Sequence, residues 1–121
     1  MKNAGLQLFA FLVNTPAFTN VMNQEVDGQM ITRLFPLKCD GTIELPLSIY
    51  GMRESARSKQ GSEFDFTLSF YFAADQYDEC IDFLDAIKDV IDESNDYDFI
   101  ASDMEVNDED YSLIGILNFK N

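Results

Sequence analysis

The sequence predicts an α+β domain, a two-layer sandwich in which one main helix packs on a mainly antiparallel sheet of four or more strands. Apolar residues occupy every even position from 64 to 72, the period of a half-buried strand. Apolar residues then recur at helical spacing from 77 to 91, and β-prone runs bounded by turn residues stand on both sides of these segments. A chain of 121 residues suits one hydrophobic core, so we assign residues 1–121 to a single domain.

Two short helices are predicted at the N-terminus. Thr15 followed by Pro16 is typical of an N-cap and a first helical position, so a second helix should run from there through Met22. Before it, residues 3–13 show a helical repeat of apolar residues. We expect the buried face of this first helix to consist of Leu6, Phe9, Ala10 and Val13.

Turns and short strands are predicted next. Asp27-Gly28 is a turn signal, after which residues 30–35 are β-prone and stop at Pro36. A second turn is expected at residues 39–41. Beyond it a strand is predicted whose first residues lie at a sheet edge, because Pro46 has no N–H for the ladder. The alternating apolar residues of this strand are Leu45, Leu47 and Ile49.

Residues 53–62 are polar and have no periodicity, so we expect a long loop joining two strands. Three basic residues make this loop the one local concentration of positive charge in the sequence. It is either a solvated tip or a flexible arm that becomes ordered on an acidic partner. We select its bases as candidate partner-binding residues, namely Arg53, Arg57 and Lys59. The strand at 64–72 follows, and one of its faces must be buried.

The main helix is predicted to begin with Asp75 as N-cap and Asp78 at its third position, where acids complement the helix dipole. It should end at the turn residues 94–96. Two β-prone runs, 97–106 and 111–119, flank a turn-rich stretch and predict a C-terminal hairpin. The apolar stripe of the helix consists of Tyr77, Cys80, Ile81, Leu84, Ile87 and Ile91, widened by Phe83 and Val90.

The net charge of −14 is concentrated in one part of the chain. Fifteen of the 22 acidic residues lie between Asp75 and Asp110, where Lys88 is the only base. We call residues 75–110 the acidic segment; the rest of the chain is neutral. Phosphate backbones and anionic membrane surfaces are repelled by such a segment, so we expect neither nucleic acid nor a membrane as a partner.

The residue types argue against enzymatic chemistry. The chain contains no His, which removes the commonest general base and the usual activation of Ser or Cys nucleophiles. Cys39 and Cys80 lie far apart without a CxxC spacing, and we interpret them as reduced, partly buried thiols. The six glycines form no phosphate-binding loop. We therefore predict no enzyme, no cofactor, and no catalytic, cofactor-binding or metal-binding residue.

One acidic stretch is similar to half of a calcium loop. Residues 92–98 carry oxygen-bearing side chains at alternate positions, but Tyr97 stands where such a loop needs Gly and Asp103 where it needs Glu. We interpret the stretch as a solvated acidic surface, with adventitious Ca²⁺ binding left open.

Several short motifs follow one another along the chain. They are residues 33–36 (Arg-Leu-Phe-Pro) after the two helices, 45–50 (Leu-Pro-Leu-Ser-Ile-Tyr), 61–63 with the strand and helix start that follow to residue 80, and 108–111 (Asp-Glu-Asp-Tyr) before a terminal strand ending in Asn118-Phe119. In this succession the chain resembles the tail completion, or tail terminator, proteins of long-tailed bacteriophages and prophages. The turn at Asp40-Gly41 and the strongly acidic helix depart from the family pattern.

The resemblance implies a non-enzymatic virion assembly protein. Such a protein forms a ring, expected to be a hexamer, on the finished tail tube and presents a surface to the head connector. Its implied partners are the tail tube protein, a head-completion protein and further copies of itself, and its implied location is the host bacterial cytoplasm during assembly and then the virion tail. The 53–62 loop is similar to a family loop that contacts the tube or neighbouring subunits.

Two other functions are kept as hypotheses. The first is a small acidic regulatory or inhibitor protein that mimics nucleic acid and binds a basic host protein as a monomer. The second is a carboxylate-based enzyme, which a metal-dependent activity and a well-formed acidic cleft would favour. A tail terminator, in contrast, assembles into rings.

Overall fold

A computed structural model describes residues 2–36, 44–58 and 61–121, without the side chains of 55–58 and 62. The described residues form three helices and two sheets. No helix among them is long and apolar enough to cross a membrane. In chain order the elements are α1 (Lys2–Val13), α2 (Pro16–Met22), β1 (Asn23–Val26), β2 (Gln29–Thr32), β3 (Leu34–Pro36), β4 (Leu47–Ser58), β5 (Gly61–Phe72), α3 (Tyr77–Glu93), β6 (Asp98–Val106) and β7 (Leu113–Lys120).

The predicted α+β sandwich is confirmed. The main sheet has the strand order β3-β4-β5-β7-β6, and its neighbours are antiparallel except for the parallel pair of β3 and β4. The even-numbered side chains of β5, from Phe64 to Phe72, are all buried, as their alternation predicts. α3 packs on this face, and the rings of Phe70 and Phe83 meet edge to face with centroids 4.7 Å apart.

The contact between α3 and β7 depends on a glycine. A Cβ at Gly115 would lie 3.3 Å from the Cδ1 of Leu84 and 3.5 Å from the Sγ of Cys80. The missing side chain therefore lets the helix approach the strand closely. α3 also contacts β6 through Lys88, whose Nζ lies 4.9 Å from the centre of the Phe99 ring.

α1 and α2 begin and end close to the predicted positions, but the predicted buried face of α1 is wrong. Leu6 is 59% exposed and Phe9 is also exposed, whereas the helix buries Ala4, Gly5, Leu8 and Leu12. α1 is apolar around most of its circumference, so its spacing permits more than one stripe. The face with Gly5 is chosen because it approaches β4 most closely: a Cβ at residue 5 would lie 2.8 Å from the Cε of Met52.

A hairpin that the sequence analysis missed follows α2. β1 and β2 pair antiparallel around Asp27 and Gly28, which have φ angles of 52° and 81°. Positive φ at both positions is typical of the tight turn that joins two strands. The strand predicted over 30–35 is divided at Arg33, because the backbone N–H of Arg33 donates to the carbonyl of Met22, at the end of α2, instead of to a strand.

The strand predicted from residue 45 begins at Leu47, after the cis Leu45–Pro46 peptide, and lies between β3 and β5 rather than at an edge. The turn predicted at 39–41, and with it Cys39, lies outside the described residues. The N-cap of α3 is Gln76 and not Asp75, because the Oε1 of Gln76 accepts a hydrogen bond from the N–H of Ala73 and fixes the turn before the helix.

The buried apolar face of α3 contains most of the predicted residues, but its centre lies closer to Phe83 than the sequence predicts. Tyr77 is exposed, and Ile81 and Val90 are only half-buried. Phe83 occupies the space between β5 and α2, where its ring lies 5.9 Å from that of Phe18. The helix ends at Glu93, and the C-terminal hairpin of β6 and β7 is confirmed. The buried side chains of α3 are Cys80, Phe83, Leu84, Ile87 and Ile91.

Candidate partner-binding surface

The loop predicted at 53–62 is wrong over residues 53–58 and 61–62, which belong to two paired strands; residues 59 and 60 lie outside the described residues. β4 continues to Ser58 and β5 begins at Gly61, and the pairing is continuous except for a bulge between Glu54 and Ala56. Polar side chains on both strands hide this pairing from the sequence pattern, since neither face of the ribbon carries apolar residues in alternation. The strands are specified instead by the backbone ladder that extends outward from the core residues of β5.

This ribbon projects beyond the main sheet. β7 pairs with β5 only from Phe72 to Asp65, where β7 itself ends at Lys120. We call residues 54–58 and 61–64 the arm. The backbone N–H of Phe64 still donates to the Oδ1 of Asn121 after β7, so three residues at about 3.3 Å each extend the arm roughly 10 Å past this contact. An arm of this kind can reach a neighbouring molecule.

The structure places one of the three candidate bases in detail. Arg53 lies at the base of the arm, and its Nη2 donates to the Oδ2 of Asp65 on β5 at 3.1 Å. The side chain of Arg53 is 80% exposed and that of Asp65 33%, so the pair is solvated and adds little to stability. A guanidinium has five N–H donors, which leaves Arg53 able to bind a further acidic group. Arg57 lies on β4 without a described side chain, and Lys59 lies outside the described residues.

Eight of the fifteen acids of the acidic segment lie on two surfaces. On α3, carboxylates at i, i+4, i+7, i+11 and i+14 form one exposed row, which we call the acidic helix face: Asp78, Asp82, Asp85, Asp89 and Asp92. On β6, we call the second surface the acidic edge: Asp98, Asp103 and Glu105. β6 is the last strand of the main sheet, so the acidic edge is one border of the molecule. Charges on an edge strand oppose pairing with another acidic edge.

The arm and the acidic edge lie on opposite sides of the main sheet. Two strands separate β4 from β6, so three spacings of about 4.8 Å place the two strands roughly 14 Å apart. That distance exceeds the screening length of about 8 Å at physiological salt. Arg53 and the acids of β6 are therefore too far apart to pair with each other; within the molecule Arg53 pairs with Asp65, and Lys120 lies directly opposite Asp98.

The pairing register also puts the charges of the two surfaces on one face. Asp65 pairs with Arg53 on one side and with Lys120 on the other, and Lys120 pairs with Asp98. Directly paired residues point to the same side of a sheet. Arg53 and Asp98 therefore lie on the face opposite α3, as do Asp103 and Glu105, which pair with Ile116 and Ile114.

Two buried groups of the core could in principle carry chemistry. Cys80 is a free, buried thiol whose pKa is raised by burial, against a smaller opposing effect of a hydrogen bond with the backbone of Gly115. A thiol held in its neutral form is a poor nucleophile. The Oγ of Ser48 is buried with no hydrogen-bond partner among the described residues, and the chain has no His to activate it.

The half calcium loop is not held open for an ion. Tyr97, at its sixth position, is buried, and its ring packs edge-on against those of Phe66 and Phe119 at 5.7 and 5.4 Å. Across the ranges 2–36, 44–58 and 61–121, no three His, Cys, Asp or Glu side chains come together as a metal site.

Alkaline pH is expected to destabilise the fold. Burial raises the pKa of the Cys80 thiol, and burial together with the charge of Asp96 raises that of the Tyr97 phenol. Both groups therefore ionise more readily in the unfolded chain than in the folded one. The free energy of unfolding is unaffected by them below about pH 8, and it decreases as pH rises through their ordinary pKa values of about 8.5 and 10.

Urea unfolding at a series of pH values measures this effect. The midpoint should be lower at pH 10 than at pH 7, and Tyr97→Phe, which keeps the ring and removes the phenol, should show a smaller decrease. A urea midpoint that is the same at pH 10 as at pH 7 would contradict the raised pKa values of Cys80 and Tyr97.

Comparison with known proteins adds no relative. No protein-family model matches this chain, and no curated protein matches it. The resemblance to tail completion proteins therefore stays a prediction.

Proposed function

We propose that the chain is a non-enzymatic assembly protein of a phage or prophage tail, which closes as a ring on the end of the tail tube and forms the surface that joins the head. The observation that carries this proposal is the placement of Arg53, at the base of the arm, and of the acidic edge on opposite sides of one sheet. The succession of motifs along the chain supports the tail rather than another ring assembly. The partners are the tail tube protein, a head-completion protein and further copies of the chain.

The charge distribution favours a ring over a two-fold dimer. Subunits that each carry −14 repel one another at long range, so they associate only where unlike surfaces meet. A two-fold contact sets each surface against its own copy, and here it would set acids against acids. A head-to-tail contact sets the arm of one subunit against the acidic segment of the next, and repeating it around an axis closes a ring.

The strength of such a contact depends on the tube. Exposed ion pairs contribute about 0.2 to 1 kcal/mol each, so a few of them hold free subunits together only weakly. A tail tube that binds several subunits at once raises their local concentration and closes the ring. We therefore expect the free protein to be monomeric or weakly associated in the host cytoplasm and to form rings at the tube end.

Reversal of the arm charges tests this function. Arg53→Glu combined with Arg57→Glu and Lys59→Glu should abolish rings on purified tail tubes, because the arm would then repel the acidic segment of the neighbour. The melting temperature should hardly change, since the Arg53 pair with Asp65 is solvated. Electron microscopy of tubes from particles that lack this protein, incubated with each variant, gives the measurement.

A charge-preserving variant is the matched control. Arg53→Lys with Arg57→Lys keeps all three positive charges and should form rings, and added salt should weaken the rings of the unaltered protein. Rings that form equally well after the triple reversal would show that the arm is not the adhesive element.

One observation favours a second candidate, an acidic regulatory protein that mimics nucleic acid. The five carboxylates of the acidic helix face form a row along α3, with an average spacing of about 5 Å at 1.5 Å per residue. Such a row can bind a basic groove on a host protein. Stable binding of one monomer to a basic protein, without rings on tubes, would favour this candidate.

A further inference from the structure

We propose that a cavity beside Tyr97 binds the guanidinium group of an arginine side chain in a partner protein. The cavity, which we call the Tyr97 cavity, measures about 770 Å³ and lies between the end of α1, the strand β5 and the connection from α3 to β6. It goes beyond the proposed ring, because it lies on the helical side of the sheet, whereas Arg53 and the acidic edge lie on the other side. Six of the residues that line it carry polar groups or aromatic rings that can contact a ligand: Gln7, Phe11, Asn14, Asp96, Tyr97 and Asn121.

Tyr97 gives the cavity a polar group that has no partner within the fold. The residue is only 7% exposed, and its ring packs edge-on against Phe66 and Phe119. No described residue forms a hydrogen bond with its Oη. That oxygen is not sealed in the core, since the Oγ of Ser48 is the only unpartnered polar side-chain atom without solvent contact in the described part of the chain. Buried tyrosines normally satisfy their hydroxyl, so this Oη needs a partner from outside the chain.

The electrostatics of the cavity favour a cation. Asp96 is the one charged residue among the described residues that line it. Two helix C-termini, the negative ends of the helix dipoles, lie nearby: the end of α1 lines the cavity through Phe11 and Asn14, and α3 ends at Glu93, three residues before Asp96. Neither helix has a basic residue in its last turn to complement that end. A positive group is therefore attracted to the cavity, whereas an anion is repelled.

The acceptors and the aromatic rings favour a guanidinium over an ammonium. The Nδ2 of Asn14 already donates to a carbonyl of α1 at 2.8 Å, so its Oδ1 is left to accept a hydrogen bond. Gln7, Asp96 and Tyr97 supply further acceptors. A guanidinium has five N–H donors in one plane, and that plane stacks on aromatic faces, here the rings of Phe11 and Tyr97, whose centroids lie 5.1 Å apart. An ammonium has only three donors and is more strongly hydrated.

Asn121 favours an arginine within a peptide chain over a free small molecule. Its Oδ1 accepts the backbone N–H of Phe64 at 2.9 Å, so its Nδ2 is left as a donor in the cavity. A backbone carbonyl next to the arginine side chain is a suitable acceptor for this Nδ2. The volume falls within the range of about 300 to 1,000 Å³ that is typical of ligand sites, so it holds more than a single side chain. Free arginine carries a carboxylate in addition, which Asp96 and the helix C-termini repel.

Titration of the isotope-labelled chain with capped tripeptides, followed by NMR, tests the inference. Gly-Arg-Gly should shift the side-chain amide signals of Gln7, Asn14 and Asn121 and should saturate these shifts. Gly-Lys-Gly should bind about threefold more weakly, because an ammonium makes fewer contacts. Gly-citrulline-Gly keeps the shape of arginine without its charge and should bind about tenfold more weakly. Free arginine, the other source of a guanidinium, should also bind less tightly than Gly-Arg-Gly.

Single substitutions identify the groups that bind. Asp96→Asn should raise the Kd for Gly-Arg-Gly about fivefold, and Tyr97→Phe, which keeps the ring and removes the Oη, should raise it about threefold. Asp98→Asn is the matched control, because it makes the same change of charge nearby while Asp98 pairs with Lys120 on the other side of the sheet. It should change the Kd by less than about twofold. Thermal melts establish that each variant is folded before it is titrated.

The opposite results overturn the inference. They are amide signals that do not shift, a lysine or citrulline peptide that binds as tightly as Gly-Arg-Gly, or free arginine that binds more tightly than the peptide. Equal effects of Asp96→Asn and Asp98→Asn would also overturn it, because they would show attraction to the net charge and not to the cavity. No tail tube enters the titration, so a negative result leaves the proposed ring untouched, and a lack of rings on tubes would count against the proposed function alone.

Discussion

Phe70→Asp is expected to leave the chain unfolded. Phe70 is fully buried near the C-terminal end of β5, and its ring packs against Phe83 of α3. Removing a buried Phe side chain costs about 3 to 5 kcal/mol, and an unpaired carboxylate in the same place adds several more. The sum is comparable to the total stability of a typical domain, about 5 to 15 kcal/mol. Circular dichroism should show no cooperative melt.

Two further variants are compared with Phe70→Asp, one on the facing helix α3 and one on the exposed face of β5. Leu84→Asp introduces a carboxylate from the helix side of the same core and should have the same effect, since Leu84 is buried against Gly115. Thr67→Asp places the same side chain on the exposed face of β5; it removes the exposed hydrogen bond from the Thr67 hydroxyl to the Oδ1 of Asn118 and should cost only about 1 kcal/mol. A cooperative, unshifted melt for Phe70→Asp would refute this description of the core.

Arg33→Met is expected to lower the free energy of unfolding by about 2 to 3 kcal/mol. Arg33 is buried, and its Nη2 and Nε donate to the carbonyls of Val21 and Met22 at 2.8 and 3.1 Å. A third donor, Nη1, lies 3.5 Å from the carbonyl of Glu44. These bonds satisfy the carbonyls at the end of α2, where a positive charge also complements the helix dipole. Met fills a similar volume but removes the side-chain donors, so the carbonyl of Val21 loses its bond from the guanidinium and that of Met22 keeps only the backbone N–H of residue 33.

The buried position of Arg33 shows in its pKa as well. Burial lowers the pKa of the guanidinium, and the charge of Glu44 opposes this change. Urea unfolding measures the loss of stability, and Arg53→Met is the matched control. Arg53 makes only a solvated contact, so its replacement should change the free energy by less than about 1 kcal/mol. Equal midpoints for the two variants would mean that the Arg33 hydrogen bonds contribute nothing.

The sequence pattern alone was sufficient to predict the elements that have a clear period, with apolar residues on one face and polar residues on the other. β5 alternates strictly, and α3 carries acids on one side and apolar residues on the other, so both were predicted with their buried faces nearly correct. α1 has little contrast, and its buried face was decided by the fit of Gly5 against β4. The arm has no apolar alternation at all, and only its ladder across β4 and β5 makes it a ribbon.

The candidate partner-binding surface was likewise predicted from the sequence only in part. The sequence alone separated a basic stretch from an acidic segment, because charge is a property of composition that needs no fold. It did not reveal that Arg53 pairs with Asp65, nor that the acidic segment divides into a helix face and a sheet edge. Both depend on the register between strands that are distant in sequence.

By itself, the sequence determined the fold class, the core of β5 and α3, and the uneven charge. These follow from the periods of 2.0 and 3.6 residues and from the residue types present. The tertiary structure decided where the charges lie relative to one another. The order β3-β4-β5-β7-β6 places the acidic edge at one border of the sheet and Arg53 three strands away on β4, because non-local strand pairing, and not any local preference, selects which strands become neighbours and edges.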